Sequence, residues 1–223
     1  MKIILIDYEA GNIASVFNAI NAVKKPNHQI IISKNKADLK TADSIILPGV
    51  GSFGTCINNL KESGIFAELE KQAINKKKPF FGICVGMQIL ASIGYEDGTN
   101  QGFNWFNGEI RKINDTNIKI KTPQMGWNNV YIKENKHPLL KNIKNEEHFY
   151  FANSYHFIGE ENSVLGYCEY GIKIASIIAK DNIFATQFHP EKSGIAGLKI
   201  IENFLNWDFS QNSQNKLIHN YLK

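Results

Sequence analysis

Residues 80–88 read Phe-Phe-Gly-Ile-Cys-Val-Gly-Met-Gln. An apolar run from Pro79 to Ile83 delivers Cys84, with Gly82 two places before it and Gly86 two places after. Met87, Ile89, Leu90 and Ile93 follow at helical spacing. The pattern predicts a strand, a sharp turn with a thiol at its apex, and a helix. So tight a turn strains the backbone of the apical residue, and side chains two positions away would collide, which calls for glycine on both sides. Unpaired N–H groups and the dipole at a helix start favour a thiolate, the reactive form of cysteine. The N–H of Val85 would face an oxyanion formed there. A buried structural cysteine in a glycine-rich turn would carry the same residues.

A nucleophilic thiol needs a base, and the base needs an orienting group. His189 follows the apolar run Asn182 to Phe188 and heads His189-Pro190-Glu191. A residue before proline is pushed into extended geometry, where positions i and i+2 face one side. The imidazole could then face the thiol with the Glu191 carboxylate behind it; the plain alternative is a surface turn. Pro48-Gly49-Val50-Gly51 follows another strand, and its glycines let backbone approach a reacting group. An N–H of Val50 or Gly51 would be the second oxyanion donor; otherwise this is an ordinary turn. His28, His137, His148, His156 and His219 sit in polar turns or mid-strand, Cys56 and Cys168 read as structural, and no metal is expected because further ligands at usable spacing are lacking. No phosphate-cradling glycine loop follows a strand.

The elements that must position these groups alternate through the first half. Strands are expected at Ile3–Ile6, Gln29–Ser33 and Ser44–Leu47. A helix is expected through Ile13, Val16, Phe17, Ile20 and Val23, and another through Ile57, Leu60, Ile65, Phe66 and Leu69. Short apolar strands alternating with amphipathic helices imply a parallel sheet covered on both faces. From Phe103 to Ala179 the segments alternate more like antiparallel strands. A helix from Ile195 to Trp207 closes the fold, and the Asn- and Gln-rich stretch from Ser210 reads as frayed. The reading is a single α/β domain over residues 1–223, flavodoxin-like and three-layered, with a mostly parallel central sheet and added antiparallel strands in the second half.

Composition narrows the class. The 223 residues are 43% hydrophobic and 21% charged, ordinary for one globular domain. A net charge of +4, with only Lys76–Lys78 as a run, argues against a nucleic-acid surface. No apolar stretch reaches membrane-span length. Three cysteines at spacings unlike any zinc pattern point to a reducing compartment, and a cytoplasmic location is expected.

Gly82-Ile83-Cys84-Val85-Gly86-Met87-Gln88 together with Gln187-Phe188-His189-Pro190-Glu191 resembles the class I, or triad, glutamine amidotransferases. Asp7-Tyr8, Gly11-Asn12, Leu47 to Gly54, Pro123-Gln124-Met125-Gly126-Trp127-Asn128 and Lys192-Ser193 resemble one branch of that family, the glutaminase subunits of imidazole glycerol phosphate synthases. The resemblance implies that Cys84 attacks the side-chain amide of L-glutamine, His189 shuttles the proton and Glu191 orients it, with no cofactor. It implies that Gly51, Gln88, Glu96, Ser154 and Tyr155 hold the glutamine. Ammonia would pass to a separate (βα)8-barrel cyclase subunit, forming a heterodimer, which makes imidazole glycerol phosphate and an aminoimidazole carboxamide ribotide in histidine biosynthesis. Asn12, Trp127, Tyr150 and Lys192 map near that contact. The chain departs at Asn153, where the family often has histidine, and at Ala14, where it often has arginine. Other readings are a glutaminase for sugar amidation in surface glycan synthesis, a stand-alone cysteine γ-glutamyl hydrolase, and a flavodoxin-like binding subunit without catalysis.

Overall fold

The computed structural model describes residues 1–114, 120–133 and 136–209. The expectation of a frayed segment from Ser210 lies outside them. In chain order the strands are β1 (Lys2–Ile6), β2 (Gln29–Ser33), β3 (Ser44–Gly49), β4 (Phe80–Cys84), β5 (Ala91–Gly94), β6 (Asn100–Gln101), β7 (Phe106–Lys112), β8 (Gln124–Ile132), β9 (Glu147–Asn153), β10 (Tyr155–Gly159), β11 (Val164–Tyr170), β12 (Ile172–Lys180) and β13 (Ile183–Thr186). The α-helices are α1 (Ile13–Val23), α2 (Lys36–Thr41), α3 (Phe53–Glu62), α4 (Phe66–Glu70), α5 (Val85–Gln88) and α6 (Gly194–Leu205).

The main sheet runs β2-β1-β3-β4-β13-β12-β11-β8-β9. Its first five strands pair in parallel and the rest antiparallel. β3, β4 and β13 are buried along their whole length, as a sheet covered on both faces requires. Neighbouring side chains on β4 show the two coverings, because successive residues point to opposite faces. Phe81 packs against Phe184 and Phe204 of α6, whereas Phe80 packs edge-on against Trp105. A smaller sheet, β10-β7-β5-β6, lies beside the main one.

Two expectations of local structure fail. The helix expected from Ile57 through Leu69 is two, α3 and α4, separated at Gly64 with φ +72. The helix after Cys84 does not run to Ile93. It is the single turn α5, followed by β5. The carbonyls that would continue it are taken: Ile89 accepts from the Phe103 N–H at 2.8 Å, and Leu90 accepts from Trp105 and Phe106 at 2.9 and 3.1 Å. The apolar spacing read as one helix face instead serves a buried turn and a strand. Among the described residues no helix is long and apolar enough to cross a membrane.

Candidate active site

Three adjacent parallel strands bring the expected residues together. Register aligns Gly49 of β3 with Cys84 of β4, and Ile83 of β4 with Thr186 of β13. The Pro48–Gly51 turn, the thiol and His189 therefore emerge at one carboxyl edge, where α/β sheets gather ligands.

Cys84 has φ 56° and ψ −112°, outside the regions an L-residue prefers. Packing enforces that conformation. A Cβ on Gly86 would lie 2.0 Å from the Leu47 carbonyl oxygen, and one on Gly82 would lie 2.7 Å from the Gly86 carbonyl oxygen. The thiol itself is buried. Because α5 is only four residues long, it has too few aligned peptides to sum a strong dipole. The charged group that interacts with the sulfur comes from elsewhere.

It comes from His189. The ring Nδ1 lies 2.8 Å from Glu191 Oε1, and both side chains are buried. The other carboxylate oxygen, Oε2, is buried without a hydrogen-bond partner. A buried carboxylate is costly unless it is paired, and the imidazole is its partner here. Burial pushes the imidazole down, but the charge and hydrogen bond of Cys84, then those of Glu191, outweigh it and raise the ring to about 10. The contribution of this ion pair to stability is complete below pH 6.5 and is lost as pH rises through about 10. The backbone of His189 is also fixed. Its N–H donates to the Tyr150 carbonyl at 2.9 Å, and its carbonyl accepts from Ser193 Oγ at 2.6 Å. Ser193 Oγ in turn accepts from the Tyr150 N–H at 3.0 Å. Ser193 thus clamps the histidine turn to β9. The sequence reading gave Ser193 no role, although a serine just past His-Pro-Glu could have signalled one.

The other predicted residues divide into three groups. Gly51, Cys84, Val85, Gln88, Glu96, Ser154 and Tyr155 line one cavity of about 170 Å³. Larger hollows elsewhere hold none of these residues. Glu96 Oε2 accepts from the Phe53 N–H at 2.9 Å; burial raises its carboxyl above the usual range more than that bond lowers it. Gln88 Nε2 donates to the Tyr155 carbonyl and to Gln187 Oε1, each at 3.0 Å. Its own carbonyl is left for whatever enters the cavity. Asn153, the departure from the family pattern, donates to the same Tyr155 carbonyl at 3.1 Å. The second group is the expected oxyanion turn. Tyr8 OH donates to the Pro48 carbonyl at 2.7 Å, and the Val50 carbonyl accepts from Cys56 Sγ at 3.6 Å. Val50 itself is 38% exposed. The third group lies outside. Trp127 is 57% exposed and packs edge-on against Tyr150, whose ring centroid lies 5.8 Å from Lys192 Nζ. Asn12 heads α1, which packs on the Pro190–Lys192 turn. Among the described residues no His, Cys, Asp and Glu cluster is arranged to hold a metal.

Residues 4–207 match the family model for glutamine amidotransferase class-I. The imidazole glycerol phosphate synthase subunit HisH of Pelagibacter ubique is 42% identical over 209 residues, which span 92% of this chain and 100% of that relative. Subunit HisH 1 of Campylobacter jejuni subsp. jejuni is 44% identical over 202 residues, 91% of this chain and 98% of that one. Among solved structures, PurLQS from Thermotoga maritima superposes with a TM-score of 0.67 at 18% identity, covering 92% of this chain and 97% of that one; at that identity the likeness speaks for the fold alone.

Proposed function

The chain belongs to the class-I glutamine amidotransferase family, and from that membership we infer that it is the glutaminase subunit of an imidazole glycerol phosphate synthase, working in histidine biosynthesis. Relatives of that name at 42–44% identity over nine-tenths of the chain support this reading. The observation that carries the chemistry is the buried His189–Glu191 pair, 2.8 Å apart, coupled to a thiol at the apex of a strained turn.

The steps follow from those groups. The Cys84 thiolate attacks the side-chain amide carbon of glutamine, and the carbonyl electrons move onto oxygen. N–H groups of Val85 and of Val50 or Gly51 receive that oxyanion. As it collapses, the C–N bond breaks and the departing nitrogen takes a proton from the His189 imidazolium, leaving as ammonia. The neutral imidazole then removes a proton from water as that water attacks the thioester. A second collapse frees glutamate and returns the thiolate beside the imidazolium. Glu191 holds the ring in position through its 2.8 Å contact with Nδ1. Gly51, Gln88, Glu96, Ser154 and Tyr155 hold the substrate in the cavity.

Ammonia at neutral pH is mostly ammonium, which is no nucleophile, so the product needs a shielded acceptor. A (βα)8-barrel cyclase subunit docked over Asn12, Trp127, Tyr150 and Lys192, in the cytoplasm, fits that need. The test is glutamate release from glutamine by the subunit alone and with the co-expressed cyclase of the same source. Stimulation by the partner and loss in Cys84→Ser are expected. Turnover of γ-glutamyl peptides without any partner would replace this reading with a stand-alone hydrolase.

A further inference from the structure

One buried polar side chain at the thiol has no part in the steps above. Gln187 follows β13, is fully buried, and places Nε2 3.8 Å from Cys84 Sγ. Its orientation is fixed by a chain of groups whose polarity has one solution. The Tyr155 carbonyl can only accept. It takes one bond from Asn153 Nδ2 at 3.1 Å and one from Gln88 Nε2 at 3.0 Å. Gln88 therefore presents NH2 on that side, and the same nitrogen lies 3.0 Å from Gln187 Oε1. Gln187 must accept there, which leaves its own NH2 facing sulfur. Its backbone is tied down as well, with the N–H donating to the Ser176 carbonyl at 2.9 Å.

We propose that Gln187 is a positioning residue that donates its amide N–H to the Cys84 sulfur and favours the thiolate, with Gln88 and the Tyr155 carbonyl setting the direction of that donation. The proposal rests on Cys84 being the nucleophile of the reading above. A donor held against the sulfur restrains its position, and a hydrogen bond to an anion is stronger than one to a neutral thiol. The same relay ties the nucleophile to Tyr155 and Asn153, so the cavity wall and the sulfur share one set of bonds. The other titratable groups near the sulfur are His189 with its partner Glu191, Tyr8 and Cys56, and Glu96, which lines the same cavity. Tyr8 and Cys56 are raised by burial, Cys56 to about 11. Raised in this way, both stay neutral near neutral pH and do not mimic the amide.

The test is the pH dependence of Cys84 alkylation by iodoacetamide, followed by mass spectrometry of the Cys84 peptide in the whole chain. This reads the sulfur without substrate, so it stands even if glutamine is not what the enzyme consumes. Gln187→Met keeps the volume and removes the donor, and the alkylation midpoint should rise by about one pH unit. Gln187→Glu keeps the acceptor for Gln88, sets a carboxylate against sulfur, and should raise the midpoint further. In the unmutated chain the Gln187 side-chain NH2 resonance should shift with the same midpoint as alkylation, a readout that needs no variant to fold. An unchanged midpoint in a folded variant, or an NH2 signal indifferent to that titration, would overturn the proposal and leave Gln187 a packing residue.

Discussion

The cysteine turn and the Pro48–Gly51 turn leave adjacent strands, yet they are built in opposite ways. At the first, a missing Cβ is all that separates backbone from backbone: one on Gly86 would sit 2.0 Å from the Leu47 carbonyl oxygen. At the second, Gly51 has φ +99°, and a Cβ built on it would meet nothing within 4 Å. Val50 beside it is 38% exposed. The cysteine is locked by packing, while the proposed oxyanion donors Val50 and Gly51 stand at the open end of a turn whose start, Pro48-Gly49, is packed against the elbow. A partner subunit covering that turn could set its geometry without disturbing the thiol.

The largest expected effect breaks the locked side. Gly86→Ala should destabilise the fold by about 4 kcal/mol or more, since backbone cannot yield as a flexible side chain does; thermal unfolding measures it. A smaller effect falls just behind the cavity-lining residues. Burial lowers His156, next to Tyr155, to about 4 from its ordinary 6.5. It is neutral in the fold and binds a proton sooner once unfolded. The stability it confers is present above pH 6.5 and lost as pH falls through 4, about 2 kcal/mol of it by pH 5. Unfolding curves at pH 7 and 5 should therefore diverge, and His156→Gln should remove part of the divergence. His137, also lowered by burial to about 4, and His28, lowered chiefly by burial as well, add to the divergence that remains. Gly51→Ala should cost about 1–3 kcal/mol in stability, from the positive φ alone, but should cut partner-stimulated glutamine hydrolysis far more than it shifts unfolding. Trp127→Ala should leave unfolding within about 0.5 kcal/mol of the parent and weaken stimulation by the cyclase, read as a higher partner concentration at half-effect.

The elbow was legible because its constraint is local: two glycines around Cys84 answer collisions two residues away. The pairing of Cys84 with His189 needed one further step, the habit of α/β sheets of gathering reactive groups at strand ends, and the β4–β13 register supplies it. The helix beyond Cys84 was misread because Met87, Ile89, Leu90 and Ile93 fit a helix face, while the bonds that stop it come from residues 103–106. Nothing local announces those partners. The short helix α2 escaped because its six residues contain one fully buried side chain, Leu39. Gln187 and Ser193 were within reach. A glutamine between the apolar run Ile183–Thr186 and Phe188 needs a buried partner, but which partner depends on residues 99 and 103 positions away.

The central claim is that the sulfur at the apex attacks glutamine with His189 as its acid and base. It is tested most directly by trapping. The enzyme mixed with labelled glutamine and its cyclase, then quenched in acid, should yield a γ-glutamyl thioester on the Cys84 peptide. That adduct should be absent from Cys84→Ser, and in His189→Ala it should form far more slowly, because the departing nitrogen has lost its proton donor. Glutamate released at an undiminished rate by Cys84→Ser, with no adduct on the parent enzyme, would contradict it.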